Sequence, residues 1–157
     1  MLYNMKQIRV VIVALLMLLG YSTFAQCVDD LGYAFYEVKW QTRGVSYLGL
    51  IEIFPPSYED NYYSAFFIGY YYHPQLGRID IIEKCSVSFQ VNNNGCYTYV
   101  VAWSVVTNPP TSYLLDSFTI YPNGTMFVSD VGGNKRMGSA IWVSGENVDR
   151  IRKKYVR

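Results

Sequence analysis

Three aromatic side chains, Tyr63, Phe67 and Tyr71, are spaced four residues apart in the most aromatic stretch of the chain, residues 62–72. If this stretch is a β-strand, the three rings lie on one face, about 13 Å apart, because a strand rises about 3.3 Å per residue. Alanine and glycine separate them on that face. We therefore predict a ligand-binding platform at these residues, with the even-numbered positions of the strand in the core. The alternative is that a second sheet or a helix packs into the gaps between the rings.

Residues that commonly catalyse reactions or bind metals are scarce. The single histidine, His73, precedes Pro74 in a predicted turn, so a metal site or relay that needs two histidines is excluded. No serine or cysteine lies in the strand–turn–helix context that is typical of a catalytic nucleophile. We therefore predict that the protein is not an enzyme and has no catalytic residue, no metal site and no cofactor.

The three cysteines, Cys27, Cys85 and Cys96, allow at most one disulfide bond within the chain. In the predicted hairpin, Cys85 and Cys96 are separated by about seven residues along the strand direction, or about 23 Å. A disulfide bond needs Cα atoms within about 7 Å, so this pair is excluded. We predict a bond between Cys27 and Cys85, with Cys27 and Cys96 as the alternative. Three unbonded cysteines are the remaining interpretation.

The first 25 residues have the order of a secretory signal peptide. Lys6 and Arg9 precede the apolar run Val10–Leu19, and small residues follow at the positions suited to cleavage after Ala25. At helical rise the apolar run spans about 15 Å, roughly half of a bilayer core, which favours cleavage over a membrane anchor. We predict an exported protein, periplasmic or extracellular, with one mature domain over residues 26–157.

The composition is that of a folded domain with an uneven distribution of charge. Of the 157 residues, 51% are hydrophobic and 16% are charged, which excludes an intrinsically disordered chain. Residues 26–134 hold four basic and ten acidic side chains, whereas residues 135–157 hold seven basic and two acidic ones. The basic C-terminus is interpreted as a solvated helix that faces an acidic body, or as a contact with an anionic envelope surface. Export argues against a nucleic-acid partner.

Alternating patterns predict β-strands over most of the mature chain. The clearest are residues 33–43, 45–54 and 62–72, with a turn at Arg43-Gly44 between the first two. One face of the first strand holds Ala34, Tyr36, Val38 and Trp40. The pattern is typical of an antiparallel protein whose strands are joined by short loops.

Residues 144–157 break this pattern and predict a helix, because Val148, Ile151 and Tyr155 fall on one side. The predicted fold is therefore all-β: an antiparallel sandwich or small barrel of seven to eight strands with a short C-terminal helix. The sequence leaves sandwich and barrel open.

Gly95 predicts the register of the hairpin that joins the strands over residues 85–91 and 96–106. A three-residue loop over 93–95 pairs Cys85 with Trp103 and places every large apolar residue of both strands on one face. It also places Gly95 in the left-handed position that glycine adopts most easily. We prefer this register to the one with a two-residue turn at residues 94–95.

A second three-residue loop, over residues 122–124, pairs Ile120 with Met126 and again groups the apolar side chains. This register sets Asp116 opposite Asp130, and facing like charges are unfavourable. We predict that the hairpin frays before this pair, in preference to a bound cation, because calcium needs six to eight oxygen ligands.

Three functions fit these features. The preferred one is a secreted, non-catalytic binding domain that presents aromatic side chains to a carbohydrate, peptide or protein partner, including inhibitor or immunity-type roles. The second is a small outer-membrane β-barrel. The alternation of Ser86, Ser88 and Gln90 with apolar residues fits a water-facing sheet, although it also fits a row that faces the lumen of a membrane barrel. The third is a compact secreted hydrolase that uses carboxylates.

Overall fold

The computed structural model describes residues 32–58, 61–92, 95–109 and 115–156. The predicted signal peptide over residues 1–25 and the predicted disulfide cysteine Cys27 lie outside the described residues.

Eight strands and one helix form the described fold, which is all-β with a short C-terminal helix, as predicted. The strands are β1 (Ala34–Thr42), β2 (Val45–Phe54), β3 (Ser64–His73), β4 (Gly77–Asn92), β5 (Gly95–Val105), β6 (Asp116–Ile120), β7 (Thr125–Asp130) and β8 (Lys135–Trp142). The helix α1 spans Gly145–Tyr155.

The strands form a closed antiparallel barrel. Each strand pairs with the next one in the sequence, and β8 pairs back with β1. The structure therefore selects the barrel over the sandwich. Closure pairs each described strand on both sides, and a barrel of eight strands has an interior that side chains just fill or that holds one small ligand.

Each strand points the side chains of one of its faces into the interior of the barrel. On β1 this is the predicted face, and Ala34, Val38 and Trp40 on it are buried. The buried interior side chains from β1 to β3 are Ala34, Val38, Trp40, Ile51, Ile53, Ala65, Phe67 and Tyr71. Those from β4 to β8 are Ile79, Ile81, Cys85, Val100, Ala102, Phe118, Ile120, Met126, Val128 and Ala140. The interior thus combines aromatic rings with small residues such as Ala65 and Ala102.

Phe67 occupies the centre of this interior. Gly49 and Gly69 face each other on β2 and β3, and the Phe67 ring lies against both. Its centroid is 5.6 Å from that of Trp40 and 5.4 Å from that of Phe118. The two glycines thus provide the space that the ring needs.

The turn predicted at Arg43-Gly44 is present between the paired residues Thr42 and Val45. Both turn residues have positive φ, 50° at Arg43 and 79° at Gly44. Positive φ at both central residues defines the type I′ turn, whose twist matches that of the flanking strands.

The β6–β7 hairpin has the predicted register, with Ile120 opposite Met126. The predicted fraying before Asp116 and Asp130 is wrong, because these two residues still pair. The Asp130 carboxylate accepts hydrogen bonds from the backbone N–H and the side-chain amide of Asn134, both at 2.9 Å, which lower the pKa of Asp130. The following turn therefore stabilises the negative charge of this carboxylate.

The predicted register of the β4–β5 hairpin is wrong by one residue. Cys85 pairs with Ala102, and Asn92 pairs with Gly95, so the loop between the strands has two residues. The positive φ predicted for Gly95 is present at the first residue of β5. Inward-facing Trp103 would collide with rings already inside the barrel. It is instead the extra residue of a β-bulge between Lys84 and Cys85, and 60% of its surface is exposed.

Helix α1 covers part of the outer face of the barrel. The predicted apolar side of the helix is confirmed, because Val148, Ile151 and Tyr155 are buried there. They form a second core with Leu50 of β2, which is fully buried although it points away from the interior. Among the described residues, no helix is long and apolar enough to cross a membrane.

Ion pairs join the basic helix to acidic residues of the barrel. Arg152 donates to Glu52 at 2.6 Å, and Lys154 donates to Glu37 at 3.2 Å. The Tyr155 hydroxyl also donates to Glu37, at 2.6 Å. These contacts favour the interpretation of a basic helix that faces an acidic body, while the envelope contact stays a prediction.

The preferred disulfide bond is wrong, because Cys85 has a free thiol and is buried inside the barrel. Its neighbours across the sheet are Ala65 and Ala102. Cys96, near the end of the hairpin, is disulfide-bonded. The alternative prediction, a bond between Cys96 and Cys27, involves a residue outside the described part of the chain.

We expect Gly69→Ala to destabilise the barrel by about 1–3 kcal/mol, because the new methyl group would overlap the Phe67 ring and lie 2.5 Å from the carbonyl oxygen of Leu48. Urea denaturation measures the effect. The matched control is Gly145→Ala at the start of α1, where a methyl group meets open space. Equal stability of the two variants would contradict this packing.

We expect Cys85 to react with a thiol reagent only after unfolding. Burial, followed by the nearby Glu83, raises the pKa of Cys85 to about 12, and only the thiolate is a good nucleophile. Peptide mapping after labelling with and without denaturant, in the absence of reductant, identifies the reactive cysteine. Labelling of Cys85 in the native protein, or of Cys96 after unfolding, would contradict the assignment.

Candidate functional site

The residues of the predicted platform lie on the inner face of β3. Phe67 is fully buried, and Tyr71 is 4% exposed. Tyr63, just before the strand, packs edge-on against Phe89. The predicted distribution of faces is therefore inverted, because the odd-numbered positions face the interior. Their role in binding a ligand stays a prediction.

The inversion has a physical cause in the two glycines. Both faces of residues 62–72 carry aromatic rings, so alternation alone does not decide between them. In the closed barrel, Phe67 fits inside only because Gly49 and Gly69 have no side chain. The even-numbered Ile68 and Tyr70 are instead covered by α1.

Three rings stack side by side on the inner face of β1, β2 and β3. Tyr47 is parallel to Trp40, with centroids 5.0 Å apart, and is also 5.0 Å from Tyr71. Trp40 and Tyr47 are directly paired across the strands, as are Tyr47 and Tyr71. Tyr47 is half-buried, whereas the other two rings are buried, so the stack reaches the surface through Tyr47.

Two acidic side chains share the interior with these rings. Glu83 lies in the inward-facing row of β4 and is fully buried, and Asp116 at the start of β6 is 9% exposed. Neither carboxylate oxygen of Glu83 has a hydrogen-bond partner. We name Tyr47, Tyr71, Glu83 and Asp116 the tyrosine–carboxylate cluster.

The pKa shifts link the members of the tyrosine–carboxylate cluster. Burial and, to a smaller extent, the charge of Asp116 raise the pKa of Glu83 to about 9, against the lowering effect of the backbone N–H of Asp116. Burial also raises the pKa of Tyr47, with contributions from Tyr71 and Asp116, against the lowering effect of Arg43. At neutral pH Glu83 is therefore a neutral carboxylic acid.

The cluster opens towards one end of the barrel, which we call the Arg43 end. The β1–β2, β3–β4 and β7–β8 turns lie there, because all three strands β1, β3 and β7 finish at that end. Asp116 begins β6 at the same end, and Tyr47 follows the Arg43-Gly44 turn by three residues. Glu83 lies deeper, because it pairs with the central Phe67, whereas Tyr71 pairs with Ile79, four residues closer to the Arg43 end.

A second candidate site is a groove of about 310 Å³ between β8 and α1. Its lining includes the exposed Trp142 and the polar residues Ser144, Asn147 and Arg150. The Asn147 amide donates to the Ser144 hydroxyl at 2.9 Å, and Arg150 donates to Asn147 at 3.3 Å. Because these polar groups already have partners, the groove makes a weaker case for a ligand than the cluster does.

His73 has a structural contact in the β3–β4 turn, where its Nδ1 accepts a hydrogen bond of 3.2 Å from the backbone N–H of Gln75. In the part of the chain that the structure describes, no group of three or more histidine, cysteine or acidic side chains is placed to hold a metal ion.

Reading the sequence missed Glu83 and Tyr47, although one signal was present. The alternation of Cys85 and Phe89 extends back through Glu83 to Ile81 and Ile79, which places an acidic residue in an apolar row. Such a residue is a candidate for a functional site. That Glu83 lies near Asp116 could be recognised only from the closed barrel.

Comparisons with models of protein families, with curated proteins and with solved structures find no match to this chain. The fold defines it as an eight-stranded, up-and-down antiparallel barrel with a C-terminal helix on its outer face.

We expect Glu83→Gln to flatten the dependence of stability on pH. In the wild type, the folded state retains a proton that the unfolded state releases between pH 4.5 and about 9. The free energy of unfolding therefore falls across this window as the pH rises, by up to about 1.4 kcal/mol per pH unit. Glutamine cannot titrate, so the stability of the variant relative to wild type increases with pH.

Urea denaturation at several pH values within this window measures the difference. The control is Glu146→Gln, which removes an exposed carboxylate in the first turn of α1. Parallel pH profiles for wild type and Glu83→Gln would show that Glu83 titrates as an exposed residue does.

Proposed function

We propose that the protein is an exported, non-catalytic binding domain whose ligand enters the Arg43 end of the barrel and contacts the tyrosine–carboxylate cluster. The export part of the proposal rests on residues 1–25, which have the features of a signal peptide. The binding part rests on side chains that face the interior.

The observation that carries the proposal is the unpartnered carboxyl group of Glu83. Buried polar atoms in folded proteins nearly always have a hydrogen-bond partner. Leaving such a group unsatisfied costs about 1–3 kcal/mol. A ligand that bonds to Glu83 would remove this cost.

The aromatic stack supports the same location. Tyr47 stacks between the buried rings of Trp40 and Tyr71, so its exposed part is what the stack offers at the entrance. Binding sites commonly combine an apolar lining with a few polar groups. The carbohydrate, peptide or protein partner expected from the sequence would insert one ring or side chain here, since the barrel is narrow.

The outer-membrane alternative has less support. Ser86, Ser88 and Gln90 are exposed on the outer face, while Cys85 and Phe67 lie in an apolar interior. A barrel that spans a membrane has the opposite arrangement, with an apolar band outside and polar residues inside.

The pair of carboxyl groups of Glu83 and Asp116 fits the hydrolase alternative, which has little further support. Hydrolases that use two acidic residues need both to reach the substrate and water. The full burial of Glu83 favours a site that holds one small group over a site that cleaves a chain.

A screen of soluble aromatic fragments, neutral and charged, by NMR chemical-shift perturbation tests the location of the binding site. We expect binding fragments to perturb the backbone amides near Tyr47, Tyr71 and Asp116. Tyr47→Ala should weaken such binding by about tenfold, because it removes one ring of the stack.

The matched control is Tyr99→Ala, which removes a half-buried tyrosine from the outer face of β5. Perturbations confined to Trp142 and Asn147 would place the site in the groove beside α1. Perturbation of no residues in the interior would reject the proposed function.

A further inference from the structure

We propose that the groove between β8 and α1 is a second binding site, which takes a neutral sugar residue. The inference goes beyond the proposed function, because the groove lies outside the barrel and away from the Arg43 end. Strand β8 begins at the Arg43 end and finishes at the opposite end with Trp142, which lines the groove. The volume of about 310 Å³ is at the lower end of the range for ligand pockets, about 300–1,000 Å³.

One wall of the groove is a row of polar side chains at the start of α1. Ser144, Asn147 and Arg150 are spaced three residues apart, which places them along one side of the helix. The Asn147 amide donates to the Ser144 hydroxyl at 2.9 Å and accepts from Arg150 at 3.3 Å, so both bonds lie within the row and orient Asn147. Side chains that are ordered before a ligand arrives lose less conformational freedom on binding.

Ser144 occupies the N-cap position of α1 without capping the helix. A serine at this position commonly accepts a hydrogen bond from a backbone N–H of the first turn, which is worth about 1 kcal/mol. The Ser144 side chain makes no such bond and accepts from Asn147 instead. It therefore contributes to the polar row and not to the helix end, which is typical of a residue whose role is in binding.

The charged residues of the lining favour a ligand without net charge. Arg150 on α1 offers hydrogen-bond donors, and Glu37 on β1 offers acceptors. A carboxylate or phosphate has acceptors only and is repelled by Glu37, whereas an ammonium group has donors only and is repelled by Arg150. Hydroxyl groups both donate and accept, so a ligand with several of them suits both residues.

Glu37 has an oxygen atom for such a hydroxyl group. Its Oε1 atom accepts hydrogen bonds from Lys154 at 3.2 Å and from the Tyr155 hydroxyl at 2.6 Å. Within the described ranges of the chain, no donor is bonded to its Oε2 atom. The first oxygen therefore holds the carboxylate in place, and the second one can accept from a ligand.

Apolar side chains complete the groove. Trp142 and Ile141 are 63% and 64% exposed, whereas Val143 and Ile151 are buried. A sugar ring has an apolar C–H face that packs on an aromatic side chain, and its hydroxyl groups lie around the edge of the ring. An exposed tryptophan beside a row of polar groups fits both parts of such a ligand.

The test compares sugars that differ in charge. We expect at least one neutral methyl glycoside of glucose, galactose, mannose or N-acetylglucosamine to bind at millimolar concentration. In NMR spectra it should shift the backbone amide signals of Asn147 and Arg150 and the indole signal of Trp142. Its uronic acid and its 2-amino-2-deoxy analogue should bind about threefold more weakly or worse, because each adds an unfavourable charge pair near the surface.

Trp142→Ala should weaken binding of this glycoside about tenfold, because it removes the aromatic surface. The matched control is Trp103→Ala, which removes a tryptophan of similar exposure, 60%, from β5 outside the groove and should bind within about twofold of wild type. Thermal denaturation shows whether each variant is folded. If Trp142→Ala does not fold, Asn147→Ala, a change at an exposed residue, should weaken binding about fivefold because it disrupts the polar row.

Three results would overturn the sugar site. They are the absence of binding by every neutral glycoside, binding of a charged analogue that is as tight as that of its neutral parent, and equal binding by wild type and Trp142→Ala. Shifts at Tyr47 and Asp116 in place of Trp142 and Asn147 would also overturn it, and they would support the proposed function. Sugar binding in the groove supports this inference whether or not aromatic fragments bind at the tyrosine–carboxylate cluster, so the two proposals fail separately.

Discussion

The packing of Phe67 against Gly49 and Gly69 is the contact on which the rest of the barrel depends. A ring at the centre of a narrow barrel needs neighbouring strands without side chains at that height, and the two paired glycines meet this need. With the centre filled, the facing strand β5 contributes small residues such as Ala102 to the interior, and Trp103 is left outside at a bulge. The inward faces of β2, β3 and β5 therefore follow from the space around one ring.

Local signals predicted those parts of the fold that depend on local chemistry. The Arg43-Gly44 turn, the register of the loop over residues 122–124 and the buried side of α1 follow from turn preferences and periodicity, and all three are confirmed. The faces of residues 62–72 and the register of the β4–β5 hairpin depend on how much room remains inside a closed barrel. Closure joins β1 to β8 across about a hundred residues, so the sequence pattern of a single hairpin could not reveal it.

The candidate site also combines a feature that the sequence pattern indicated with features that only the closed barrel revealed. An acidic residue in the row that contains Ile81, Glu83 and Cys85 was visible in the alternation of β4. Its lack of a partner and its proximity to Asp116 depend on the pairing of β4, β5 and β6 and on the bulge at Trp103. The aromatic residues predicted as an exposed platform do surround a candidate site, but they do so from inside. There Tyr71 joins a stack with Tyr47, a residue that the platform prediction did not include.

The two buried glutamates, Glu52 and Glu83, have different surroundings. Glu52 faces outward beneath α1 and is paired with Arg152 at 2.6 Å, so its charge helps to hold the last element of the chain on the barrel. Glu83 faces inward and has no such partner. A leucine or methionine of similar volume would fill the same space without the cost of an unsatisfied carboxyl group. A position that lowers stability in an otherwise apolar row is typical of a functional site, and this is the physical basis for the proposal that a ligand binds near Glu83.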